Sequence, residues 1–112
     1  MIPIQFDKPR HLKFTLPAIK DMEANLGGQP LGAVMSLLGQ VGITAITVAL
    51  WAGLKHEDKT LTPSLVTKML SDYIEKGGRT KPLIDALSAA LDETHIFKTD
   101  DDEDREGNAP AA

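Results

Sequence analysis

Every second residue is apolar in two short segments near the N-terminus, residues 2–6 and 11–16. A period of two places these apolar side chains on one face of a strand. They are Ile2, Ile4 and Phe6 in the first segment and Leu12, Phe14 and Leu16 in the second. The intervening Asp7-Lys8-Pro9-Arg10 is typical of a turn. We therefore predict a β-hairpin whose apolar face packs on helices, because a lone hairpin is only marginally stable in water.

From residue 16 onwards the apolar period changes to three or four, which predicts about five short helices. Four of them begin near a proline, which suits the first helical turn because the N–H that it lacks has no helical partner there. These prolines are Pro17, Pro30, Pro63 and Pro82. Glycine pairs at Gly27-Gly28 and Gly77-Gly78 end two helices, and the strongly apolar residues 43–55 predict a central one. The predicted fold is mainly α: a hairpin packed on a helix bundle, as one domain over residues 1–97.

The charge of the chain is unevenly placed. Residues 1–97 hold ten basic and ten acidic side chains, whose charges cancel, whereas residues 98–112 hold two basic and six acidic ones, a sum of −4. The latter segment has no apolar periodicity, so we predict a disordered acidic tail. A neutral domain with an acidic tail argues against nucleic acid as the main partner.

Residues 24–54 contain no charged side chain, a length that allows a membrane span, as in a holin. Polar residues and the breaks at Gly27-Gly28, Pro30 and Gly39 to Gly42 divide this run, and basic residues do not cluster at one end of it. These features favour a buried helix pair, so no membrane partner is predicted. The N-terminus also lacks the basic and apolar regions of a secretory signal.

The sequence offers little chemistry. It has no cysteine, which fits a reducing cytoplasm and excludes disulfides and thiolate metal sites. His11, His56 and His95 form no metal-binding pair, and His56-Glu57-Asp58 is more typical of a solvated loop than of a metal site. The acidic run 100–104 lacks the glycine and glutamate positions of a calcium loop. We therefore predict no catalytic, cofactor-binding or metal-binding residue, and a binding function instead.

Trp51, the single tryptophan, has two interpretations. A tryptophan on a largely apolar helix is usually part of the core, but a tryptophan is also a frequent anchor for a partner. The candidate partner-binding residues are Leu50, Trp51, Leu54 and Tyr73.

Four short motifs follow one another between about residues 4 and 92. They are Leu12-Lys13-Phe14-Thr15, Met22-Glu23, Leu50-Trp51-Ala52-Gly53-Leu54, and Leu61-Thr62-Pro63-Ser64-Leu65-Val66. In this order the chain resembles the tail assembly chaperones of siphophages and gene transfer agents. One departure concerns the turn, which often reads Asp-Gly-Lys in that family and here reads Asp7-Lys8-Pro9-Arg10.

The resemblance implies a non-enzymatic role in the cytoplasm of the bacterial host. Such chaperones bind the long tape measure protein, present it to tail tube subunits and are absent from the mature virion. In many relatives a translational frameshift extends the C-terminus. Many copies on one tape measure would gain from weak self-association. The alternatives are another phage morphogenesis adaptor, such as a head–tail connector or minor structural protein, and the holin-like membrane protein.

Overall fold

A computed structural model describes residues 1–96, so the predicted disordered tail at residues 98–112 lies outside the described residues. The elements in chain order are β1 Ile2–Gln5, β2 Pro9–Leu12, α1 Leu16–Ala24, α2 Leu31–Gly39, α3 Ile43–Leu54, α4 Pro63–Glu75 and α5 Thr80–Asp92. The prediction of a mainly helical fold with an N-terminal hairpin is confirmed.

The hairpin is antiparallel, with Ile2 opposite Leu12 and Gln5 opposite Pro9. Its second strand begins two residues before the predicted start, so the connection is shorter than the predicted Asp7-Lys8-Pro9-Arg10 turn. The reason is Arg10, a charged residue that is buried on the inner face together with Ile4 and Leu12. Charged side chains are rarely buried unless paired, so the apolar alternation did not reveal this position.

The second predicted strand also ended too late, since the prediction placed Leu16 on the apolar face. Leu16 is instead the first residue of α1 and its side chain is 63% exposed. Thr15 causes the change from strand to helix, because its hydroxyl accepts a hydrogen bond from the Ala18 N–H at 3.2 Å and caps the helix. Thr62 caps α4 in the same way, through the Leu65 N–H at 3.1 Å.

The turns after α1 and α4 depend on glycine. Gly27 and Gly77 have φ angles of +73° and +95°, in the left-handed region that other residues rarely adopt. The predicted glycine stops are therefore confirmed for both helices.

Helix α3 is the centre of the fold, as predicted. Nine of its twelve residues are buried, and it packs against α1, α2, α4, α5 and β2. Ile43, the first residue of this helix, is 50% exposed. The hairpin and all five helices contribute buried hydrophobic residues to one core cluster.

Within residues 1–96 no single helix is long and apolar enough to cross a membrane. Helices α2 and α3 have the required length and composition only as a pair, and they are bent by 120° at the break between them.

Candidate functional site

A groove of about 370 Å³ lies where the end of β2, the start of α1, the C-terminal half of α3 and residues 55–61 meet. We call it the Trp51 groove. Its floor is apolar and is formed by Ala18, Trp51, Ala52 and Leu61. Its rim is basic and carries Lys13, Lys55, His56 and Lys59.

Trp51 is half-buried and held in a fixed orientation. Its indole Nε1 donates a hydrogen bond to the Leu61 carbonyl oxygen at 3.1 Å. Leu61 is itself buried, with 5% of its surface exposed. Because this bond satisfies the only polar group of the indole, the rest of the ring is available as an apolar contact surface.

The rim carries more positive than negative charge. Lys55 forms an ion pair with Asp21, and its Nζ also lies 4.6 Å from the centroid of the Trp51 ring. Lys13 and Lys59 form no ion pair with any residue in the range 1–96. The groove therefore combines an apolar floor with two lysines whose charge remains available to an acidic ligand.

The His56-Glu57-Asp58 segment holds the hairpin in place. The Glu57 carboxylate accepts a hydrogen bond from the His11 N–H at 3.1 Å, and the His56 Nε2 lies 2.8 Å from the His11 carbonyl oxygen. These side chains occupy the outer edge of β2 in place of a third strand, which protects that edge. The hydrogen bond from the His11 N–H, together with the His11 side chain, lowers the pKa of Glu57. Among the described residues no group of three or more His, Cys, Asp or Glu is placed to hold a metal ion.

A buried arginine connects the hairpin to the same segment. Arg10 is 7% exposed and donates to the two carboxylate oxygens of Asp7 at 2.6 and 2.8 Å. Its other terminal nitrogen lies 3.9 Å from the carboxylate of Asp58. The hydrogen bond from Arg10 lowers the pKa of Asp7, and hydrogen bonds from Thr60 lower the pKa of Asp58.

The pair formed by Asp7 and Arg10 makes stability depend on pH. At neutral pH an Asp7→Asn variant is expected to be less stable than the natural protein by about 1–2 kcal/mol, because an amide accepts only one of the two hydrogen bonds from Arg10. Since the pKa of Asp7 is lowered in the folded state, its stabilisation is present above about pH 4 and is lost as the pH falls through the folded-state pKa. Urea denaturation between pH 7 and pH 2.5 should therefore show the two curves converging at low pH. A difference that is constant over this range would contradict the role of the ionised carboxylate.

The hairpin lies directly on α3 at Gly53. The Lys13 N–H donates to the Gly53 carbonyl oxygen at 2.9 Å. A Cβ atom on Gly53 would lie 2.8 Å from Leu12 Cδ2 and 3.0 Å from Phe14 Cζ. The absence of a side chain at this position therefore brings the end of β2, and with it Lys13, to the Trp51 groove.

The four predicted partner-binding residues do not form one surface. Leu50 and Leu54 are fully buried in the core, with 0% exposure, so neither contacts a partner in this conformation and the prediction needs correcting for both. They lie one and three positions from Trp51 on a helix whose other sides are also covered by the fold. Trp51 forms the floor of the groove.

Tyr73 lies in a separate depression of about 270 Å³ with Phe6 and Met69. Its ring centroid is 5.6 Å from that of Phe6, and its hydroxyl donates to the Arg79 carbonyl oxygen at 2.7 Å. These contacts attach the hairpin to the end of α4. Trp51 and Tyr73 thus line different depressions.

The three rim lysines were not among the predicted partner-binding residues. For Lys55 the sequence could have predicted the position, because Lys55 follows Trp51 by four residues, a spacing that brings side chains together on a helix. Lys59 lies in the segment that follows α3, whereas Lys13 comes from the hairpin and reaches the groove only because the hairpin packs on α3.

No family model, curated protein or solved structure matches this chain. The basis for a functional proposal is therefore the geometry of the Trp51 groove together with the sequence motifs.

Proposed function

We propose that this protein is a non-enzymatic tail assembly chaperone of a siphophage or gene transfer agent. In this role it binds the tape measure protein in the cytoplasm of the bacterial host and passes it to tail tube subunits. The observation that supports the proposal most directly is the meeting of separate motifs at the Trp51 groove.

Three of the four motifs that carry the resemblance contribute to this groove. Thr15 comes from the first motif, Trp51 from the third and Leu61 from the fourth, and all three residues line it. Leu12 and Phe14 of the first motif contact Gly53 of the third. A binding site requires residues that lie next to one another on one surface. These motif residues do so, although they are distant in the chain.

The groove has the chemistry to receive one face of an amphipathic helix. Its volume lies near the lower end of the range for ligand pockets, about 300–1,000 Å³, so it takes a few side chains of a helix rather than the whole helix. An apolar floor would contact apolar side chains, and the basic rim would attract acidic residues beside them. A long helical protein such as a tape measure has many segments of this kind, which allows several copies to bind along it.

Co-expression with a tape measure and a tube protein encoded beside this gene tests the proposal. The natural protein is expected to be retained on the affinity-tagged tape measure, and a Lys13→Glu/Lys59→Glu variant to bind about tenfold more weakly, since each reversal affects a mostly exposed charge. The matched control is Lys68→Glu/Lys76→Glu, which makes the same charge change on α4 and at the residue that follows it. Failure to capture either partner would contradict the proposal, and equal binding by both double variants would exclude the Trp51 groove as the site.

Purified virions distinguish the chaperone from a minor structural protein or head–tail connector. We expect this protein in lysates of infected cells and not in the finished particle, as measured by mass spectrometry. A constant number of copies in each particle would favour a structural component.

A further inference from the structure

The Trp51 groove has unbalanced charge. Lys55 has Asp21 as a partner, but residues 1–96 provide no ion pair for Lys13 or Lys59. Both lysines line a groove whose floor is apolar. A ligand that carries several carboxylates close together would therefore complement this rim.

The same chain contains such a ligand. Asp100, Asp101, Asp102, Glu103 and Asp104 form an unbroken acidic run. The charges of residues 1–97 sum to zero, so this run is the main source of the net charge of −4. The strongest acidic segment of the chain and its lysine-rimmed groove are thus complementary.

The end of α5 and the groove rim both lie at the open end of the hairpin, with α5 beside β1 and the rim beside β2. The Met1 amino group is 3.3 Å from the Glu93 carboxylate. Ile2, next to Met1, pairs with Leu12, and Lys13 follows Leu12. A path from Glu93 to Lys13 therefore crosses the open end of the hairpin, whose paired strands are roughly 5 Å apart.

The length of the chain permits the contact. Asp102, the middle of the acidic run, lies six positions after Ile96, the last described residue. An extended chain covers at most about 3.3–3.6 Å per residue, so six residues span up to roughly 20 Å. This reach exceeds the width of the hairpin.

We propose that the acidic run 100–104 binds the lysine rim of the Trp51 groove in its own chain and competes there with acidic partner segments. The consequence for partner binding rests on the proposed function, whereas the contact itself does not. A tethered segment has an effective concentration on the order of millimolar. At that concentration a contact with a dissociation constant of about 1 mM is occupied about half of the time, and a tighter partner displaces it.

The single tryptophan provides a direct measurement in the full-length chain. Neutralising the run with D100N, D101N, D102N, E103Q and D104N is expected to raise acrylamide quenching of Trp51 fluorescence by up to about twofold, because the groove loses its tethered ligand. A Lys13→Gln/Lys59→Gln variant should give the same increase, and combining the two sets should add nothing further. Lys68→Gln/Lys76→Gln is the matched control and should leave the quenching unchanged. Added salt near 0.5 M should raise quenching of the natural protein towards that of the neutralised variant.

A carbodiimide cross-link identifies the contact in the natural protein. The expected product joins Lys13 or Lys59 to a residue of the acidic run within one chain. Mixing isotopically light and heavy protein separates this product from cross-links between two chains. Cross-links found only between chains, or quenching that does not respond to either set of substitutions, would overturn the proposal. Because the experiment uses this protein alone, its result is independent of whether the tape measure is the partner.

Discussion

Replacing Leu50 with alanine is expected to lower the free energy of unfolding by about 3 kcal/mol. Leu50 is 0% exposed in the middle of α3, where the substitution removes buried methyl groups and leaves a cavity. Helix α3 contacts four other helices and β2, so the surrounding elements have little freedom to close that cavity. A domain of this size has a total stability of about 5–15 kcal/mol, which makes the loss large.

Urea denaturation followed by circular dichroism measures this effect. The matched control is Leu65→Ala on α4, where the side chain is 40% exposed and the expected loss is below about 1 kcal/mol. The comparison also tests the correction to the predicted binding site. If Leu50→Ala kept the stability of the natural protein but lost partner binding, Leu50 would be a surface contact and its assignment to the core would be wrong.

Gly53→Ala is expected to destabilise the protein by about 2 kcal/mol, although alanine favours a helix over glycine by about 1 kcal/mol. The added methyl group would lie 2.8 Å from Leu12 and 3.0 Å from Phe14. Leu12 is fully buried and Phe14 nearly so, so neither side chain moves away without disturbing the core. The hairpin must shift instead, which stretches the hydrogen bond from Lys13 to the Gly53 carbonyl oxygen.

Gly32 supplies the control for this substitution. It also lies in a helix, but a Cβ atom added there would meet nothing within 4 Å. Gly32→Ala is therefore expected to be neutral or to stabilise the protein by about 0.5 kcal/mol. Thermal unfolding of both variants measures the two changes in stability. Equal effects would show that Gly53 does not limit the approach of the hairpin to α3.

Local signals account for the parts of the fold that were predicted correctly. Thr15 and Thr62 cap helices that begin at the next residue, and each of these helices has a proline in its first turn. Gly77 adopts a backbone conformation that few other residues tolerate. These features act within a few residues of the chain, so they can be predicted from the sequence without knowledge of the tertiary fold.

The candidate site was predicted less well because exposure is not a local property. The apolar pattern shows that Leu50, Trp51 and Leu54 belong to a helix, but it does not show which of them the other elements cover. The two leucines are enclosed, whereas Trp51 remains half-exposed beside residues 55–61. The burial of Arg10 was not predicted for a related reason, since it depends on the pairing of Arg10 with Asp7.

The order and type of the elements, the central position of α3 and the concentration of negative charge after residue 97 were all predictable from the sequence. These properties follow from apolar periodicity, helix caps and composition, all of which are local features of the sequence. The position of Lys13 beside Trp51, and the contacts of His56 and Glu57 with the edge of β2, depend instead on tertiary packing. The physical reason is the close packing of the hairpin on Gly53, which joins segments about forty residues apart and so lies beyond any local pattern.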